Sequence, residues 1–302
     1  MTWQCWQLTY EVKSPLHIGY QTIGNIQRTR YYIPGKNFWG AATSRITLFL
    51  KLSNFQSTGE FVRDNIRFGY FYPALSPDKP LLPRFTDIGW EYGSASQDKF
   101  ESDFISSIAG TAISSNTNSA EEGSLHEVEY IAPYHRRDKS PVLFTGHLFL
   151  KENATYQGKL FGWDNGDVIL RDILNEFSIG GERRYGFGSL KLKDKDDKRI
   201  IDNRLWNGWE IKLDGDMPLL STQKEKEPIL AHCLAESVEA DGNIEPLVGR
   251  EWVNKEPNSV YIGAGQKVAR LGICWIPGST LKDKNISLNI GAYGIWEKKK
   301  TL

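Results

Sequence analysis

A chain of 302 residues, 40% hydrophobic and 25% charged, carries enough apolar mass for two modest globular domains and is neither fibrous nor disordered in composition. Its 37 basic and 37 acidic residues cancel, which argues against a bulk electrostatic nucleic-acid binder and confines any such contact to placed motifs. Cys5, Cys233 and Cys274 are odd in number and not spaced as a metal clip, so reduced thiols and a cytoplasmic setting are expected. The opening MTWQCW lacks the basic-then-apolar pattern of a signal peptide, and no apolar run approaches membrane-spanning length.

In chain order, residues 3–12 read as a half-buried strand, with Trp6, Leu8, Tyr10 and Val12 alternating with Gln7, Thr9 and Glu11. The segment SPLHIG (14–19) ends it, and a second short strand is expected from Arg30 to Ile33. A Pro34–Gly35 turn follows, with Asn37 as the expected N-cap of a helix that runs to about Leu50. Phe38, Ala42, Ile46 and Phe49 form its apolar face. Residues 53–125, rich in Ser, Asn, Pro and Gly, read as an insertion of long loops, with 111–120 mobile.

A strand is expected from Pro141 to Leu150, then a helix over about 167–178 with Ile169, Leu170, Ile173, Leu174 and Phe177 on one face. Gly180 and Gly181 stop it, and a strand covers Gly188 to Leu192. The charge run at 191–199 reads as a solvated hairpin tip or linker. Leu205–Leu213 and Val268–Ile276 read as strands of a second region. The whole is an α+β chain: a β-α-β-β-α-β ferredoxin-like (RRM-like) domain at 1–195 with an insertion at about 53–125, then a second, smaller β-rich or ferredoxin-like region at 200–302. Such an open sheet is a common RNA-recognition platform.

Four segments could carry chemistry. The first is IGGERRYGFGS (179–189): Gly180, Gly181, Gly186 and Gly188 allow close backbone approach, Arg183 and Arg184 can fork onto phosphates, and Tyr185 and Phe187 can stack on bases. It follows a helix and precedes a strand, the reverse of a dinucleotide fingerprint. The second is IPGKNFWG (33–40), where a helix start with Lys36 and Asn37, and Arg45 further along, could hold a phosphate or simply enter the core. The third is His17, a general-base candidate for an RNA 2′-hydroxyl, or a loop histidine with a structural hydrogen bond. The fourth is YHRRDK (134–139), a basic loop that could extend a groove or be solvated. No zinc pattern, Walker loop or paired-carboxylate cluster is present, so neither metal nor cofactor is expected.

SPLHIG, IPGKNFWGAATSRI (33–46) and GGERRYGFGSL (180–190), in that order, resemble the RAMP (repeat-associated mysterious protein) superfamily of CRISPR-associated proteins. The stretch TAISSNTNSAEEGSLHEVEYI (111–131) fits too, and GICWIPGSTL (272–281) is a weaker echo. The resemblance implies one or two ferredoxin-like domains that assemble on CRISPR RNA. It implies RNA contacts from the glycine loop and from Lys36, Asn37 and Arg45. Target cleavage in such families often uses an aspartate upstream of IPG, but residues 25–32 read NIQRTRYY. The implied role is a Cas-five-like, type III-D-like subunit capping the 5′ handle of the guide, beside the large polymerase-like subunit and neighbouring RAMP subunits. A Cas-seven-like backbone subunit, or a metal-independent precursor endoribonuclease using His17, are the alternatives.

Overall fold

The computed structural model describes residues 2–194, 196–253 and 263–298. Strands β1 (Trp3–Val12), β2 (Gly19–Ile23) and β3 (Ile26–Thr29) lead into helices α1 (Gly35–Phe49) and α2 (Phe55–Asn65). Strands β4 (Ile66–Phe68) and β5 (Tyr72–Ala74) follow, then a small three-stranded meander over 83–96, α3 (Gln97–Phe104), β6 (Ile105–Gly110) and β7 (His126–Ile131). The first half closes with β8 (Leu143–Lys151), α4 (Leu170–Ile173), β9 (Glu176–Ser178), β10 (Ser189–Leu192) and β11 (Lys198–Arg199).

The central sheet runs β9-β10-β1-β8-β4, with β11 pairing β1 and β5 pairing β8. All its pairings are antiparallel. Taking β1, β4, β8 and β10 as first to fourth, the spatial order 4-1-3-2 is that of a ferredoxin-like unit. Helices α1 and α2 cover one face through an aromatic cluster in which Phe38 stacks on Phe71 at 4.0 Å and Tyr10 meets Phe177 edge-on at 5.4 Å.

Several expected elements take other forms. Helix α1 starts at Gly35 with Pro34 in extended conformation at the N-cap, so Asn37 is not the cap but a first-turn residue whose N–H bonds the Pro34 carbonyl. The expected strand at Arg30–Ile33 lies earlier, at β3, and Ile33 keeps only a bridge to Phe71. The expected helix over 167–178 is helical only at Leu170–Ile173. Phe177 instead pairs with Leu190 in an edge strand. Leu170, Ile173, Leu174 and Phe177 are all buried regardless, which is why apolar spacing alone did not separate the two outcomes.

The stretch read as an insertion of long loops begins with α2 and β4, and β4 is the second strand of the ferredoxin-like sheet. The true departure from that unit lies between β5 and β8. There β6 and β7 pair with β3 and β2 in a separate four-stranded sheet of order β2-β3-β7-β6.

The second region is β-rich: β12 (Glu210–Lys212), β13 (Leu219–Thr222), β14 (Cys233–Leu234), β15 (Ile244–Val253), β16 (Gly263–Trp275), β17 (Ile286–Ile290) and β18 (Trp296–Lys298). They form one sheet of order β12-β13-β17-β18-β14-β16-β15. Its core takes in Trp3, Cys5 and Phe149 from the helix-free face of the central sheet, so the central sheet is covered on both sides. Two ion pairs tie β15 to the first half: Arg30–Glu245 and Lys36–Glu251.

Candidate nucleic-acid interface

The glycine-rich segment is the loop of the β9–β10 hairpin, whose last paired residues are Ser178 and Ser189. SPLHIG forms the bed beneath it. Gly188 N–H donates to the Pro15 carbonyl at 2.8 Å, Gly181 N–H to the His17 carbonyl at 2.9 Å, and Ser189 N–H to Ser14 Oγ at 2.9 Å. Gly180 needs its lack of a side chain: φ is +87° and a Cβ would lie 2.3 Å from the His17 carbonyl oxygen.

Above this base the chain makes one 3₁₀ turn, Arg183–Tyr185, entered through Glu182 and left through Gly186 in left-handed conformation. Arg183, Arg184, Tyr185 and Gly186 are exposed, Tyr185 at 79%. Neither arginine forms an ion pair with any described residue, although the chain as a whole carries no net charge. No described atom lies within 4 Å of where a Gly186 Cβ would sit, so that side of the turn is open to a ligand. The result is a pinned base with a cationic, aromatic crown, an arrangement suited to phosphates and unstacked bases.

Phe187 does not belong to the crown: it is 9% exposed and packs edge-on against Tyr130 at 5.5 Å, so it does not present the open face expected of it, whereas Tyr185 is exposed. His17 is 5% exposed, and its Nδ1–H donates to the Glu129 carbonyl at 2.7 Å. Its ring also lies where a Gly181 Cβ would sit, at 2.9 Å. The histidine therefore spaces β7 from the loop.

The α1 start is not part of this surface. Gly35 is buried, and a Cβ there would lie 2.2 Å from the Phe68 carbonyl and 2.6 Å from that of Tyr293. Lys36 Nζ pairs with Glu251 at 3.1 Å and lies 3.8 Å from the centroid of the Tyr293 ring. That helix N-terminus is thus plugged by the second region rather than open to a phosphate. Arg45 is exposed, and its Nε–H donates to the Ile173 carbonyl, joining α1 to α4. Asn37 is half-buried. In the 134–139 loop, Arg136 is exposed while Arg137 pairs with Asp103 at 2.7 Å.

Sequence reasoning missed the parts that hold the loop: Ser14, the Glu129 carbonyl and Tyr130. Backbone acceptors leave no mark in residue identity. The adjacency of SPLHIG and the loop arises from the pairing of β1 with β10, 178 residues apart at Val12 and Leu190.

A family model described as the RAMP superfamily matches residues 9–191, more than half of the chain. The chain belongs to the RAMP superfamily. A search of curated proteins returned no match. Among solved structures, this RAMP protein is similar to a chain of "Cryo-EM structure of the Type III-B Cmr-beta bound to cognate target RNA and AMPPnP, state 1", with a TM-score of 0.54 and 13% identity, covering 91% of this chain and 86% of that one. A chain of the type III-B Cmr-beta apo state gives a TM-score of 0.40 at 13% identity, covering 64% of this chain and 98% of that one. The first likeness shows a shared fold across nearly the whole RAMP chain, second region included. No described helix is long and apolar enough to cross a membrane.

Proposed function

We propose that this RAMP protein is a non-catalytic CRISPR RNA-binding subunit of a type III effector complex, seated at the 5′ handle of the guide. The observation that carries the reading is the crown of Arg183, Arg184 and Tyr185, exposed and without an ion pair to any described residue, on a loop whose base is pinned by backbone hydrogen bonds. The family membership supports it, as does the fold shared with a chain from a type III-B complex bound to cognate target RNA. In this reading the guanidiniums hold backbone phosphates, Tyr185 stacks on a splayed base, and the open backbone at Gly186 lets the strand come close. Neighbouring effector subunits, including the large polymerase-like one, are the protein partners, in the cytoplasm.

The endoribonuclease alternative has less support, because His17 is buried and its Nδ1–H is engaged by a backbone carbonyl.

The test is to tag the chain in its native host, purify it gently and sequence what travels with it. Short RNAs with one repeat-derived 5′ end and other effector subunits are expected. The Arg183→Ala, Arg184→Ala double variant should weaken RNA retention, and removing two phosphate contacts to a single strand should lower the salt slope by roughly 1.4. Clean protein without RNA or partners would overturn the reading. RNA that remains bound with an unchanged salt slope would remove the loop from it.

A further inference from the structure

A second feature lies on the helix-free face of the central sheet. Side chains that point away from α1 and α2 there include Gln7 and Thr9 of β1 and Thr145 and His147 of β8, opposed in register. All four are buried although polar. Thr9 and Thr145 satisfy one another at 3.3 Å, and Gln7 donates to the Pro77 carbonyl at 2.8 Å. The second region covers Cys5 and Phe149 of this face. Beyond them, β11 pairs with β1 within the sheet, and the chain after it brings Trp206 against His147, leaving a recess of about 380 Å³, within the range of small-ligand pockets. Its walls include Gln7, His147, Lys198, Arg199, Arg204 and Trp206.

His147 is a titratable group in the wall of the recess. The residue is 6% exposed and neither ring nitrogen bonds a described residue, but both keep access to solvent, and His147 lines the recess, so the ring edge is open to a ligand there. Burial, with the Lys198 charge, pushes its pKa down to about 3, so the ring is neutral near pH 7 and offers one donor and one acceptor. The Trp206 indole lies over it, centroid to centroid 4.2 Å. At the rim, Arg204 is exposed and makes no ion pair with a described residue, and Arg199 approaches Glu152 only at 3.8 Å. Lys198 is held by Asp78.

We propose that this recess binds a single nucleotide, its base against Trp206 with an edge on His147 and its phosphate on Arg204 and Arg199. The chemistry is matched in three places. A flat ring finds an aromatic wall, an uncharged donor–acceptor edge finds a neutral imidazole, and a phosphate finds guanidiniums. The same group could arrive as a free mononucleotide or as one residue of an RNA strand. The proposal does not depend on the glycine loop, which β9 and β10 carry and whose residues do not line the recess.

The full chain, titrated calorimetrically with AMP, with UMP and with a short single-stranded RNA, tests it. Saturable one-to-one binding of a mononucleotide, or of the RNA alone, is expected with a dissociation constant below 1 mM, about the onset of specific recognition. The two outcomes assign a free ligand and an RNA residue respectively. Arg204→Ala and Trp206→Leu should each weaken it at least tenfold. The Arg183→Ala, Arg184→Ala variant should leave mononucleotide binding unchanged, which separates this site from the proposed loop interface. Arg204 is exposed, so its variant keeps the fold even if the Trp206 change loosens the turn, and thermal melts of both confirm folding. Absence of saturable binding by all three probes, or binding indifferent to Arg204→Ala, would overturn the proposal.

Discussion

Gly186 and Gly188 lie two residues apart with nearly the same positive φ, +82° and +85°, but in opposite surroundings. A Cβ at Gly186 meets nothing, whereas one at Gly188 would sit 1.9 Å from the Ile179 carbonyl oxygen. Gly188 also donates to Pro15 and accepts from Ile179 N–H, so its backbone has no room to move aside. Gly186→Ala should therefore cost only the left-handed backbone penalty, about 1–2 kcal/mol. Gly188→Ala should cost about 3 kcal/mol or more, because strain is joined by lost hydrogen bonds. Denaturant unfolding of the two variants checks this ordering, and equal losses would mean that the loop base is softer than its geometry implies. In RNA retention the ranking changes meaning. Gly186→Ala perturbs a surface a strand would touch, while Gly188→Ala acts by unseating the crown from SPLHIG.

At the scale of the element, α1 and α4 show what the sequence reveals and what it hides. The fifteen residues of α1 are long enough for the spacing of Phe38, Ala42 and Ile46 to single out a helix. The five-residue apolar pattern that suggested a second helix is satisfied equally by one helical turn followed by an edge strand, because both bury the same side chains. The glycine loop was legible because its residues have few other uses in that density. Its bed, formed by backbone carbonyls 160 or more residues earlier in the chain, was not. The α1 start misled for a related reason: the Pro-Gly-Lys pattern is that of an anion site, but Tyr293 and Glu251, far along the chain, fill it. Lys36→Met keeps the aliphatic stem against Trp39 and Tyr293 and removes the charge. It should lower stability by about 1–3 kcal/mol through the loss of a charged contact at Glu251, and leave RNA retention as it was. A loss of RNA retention with stability preserved would return Lys36 to the interface.

At the scale of the whole molecule, the two halves are joined by a polar network rather than by apolar contact alone. Arg30 meets Glu245 with both terminal nitrogens, at 2.7 and 3.1 Å, and donates to Tyr32. Glu245 also accepts from His232 Nε2–H, which leaves His232 Nδ1 to accept from the Tyr70 hydroxyl at 2.6 Å. Burial alone would raise the Glu245 carboxyl, but the bonds from His232 and Arg30 outweigh it and hold the pKa at about 2. Burial likewise lowers His232, more than Glu245 raises it, and lowers His147 to about 3. All three groups have folded-state pKa values below their unfolded ones, so in acid the unfolded chain binds protons that the folded chain does not, and stability falls as pH falls. The His147 contribution is complete above about pH 6.5 and is lost from there toward pH 3, at about 1.4 kcal/mol per pH unit, and His232 adds a loss of the same sign. The Glu245 contribution is lost only below about pH 4.5, on the way to pH 2. Unfolding free energy measured from pH 8 to pH 4 should thus be flat at the top and decline below 6.5. A His147→Gln variant should flatten that decline by about 1.4 kcal/mol per unit without moving the carboxylate limb. A wild-type curve that stays level to pH 5 would mean that His147 protonates freely in the fold, and the same observation would deprive the recess of its neutral donor–acceptor floor.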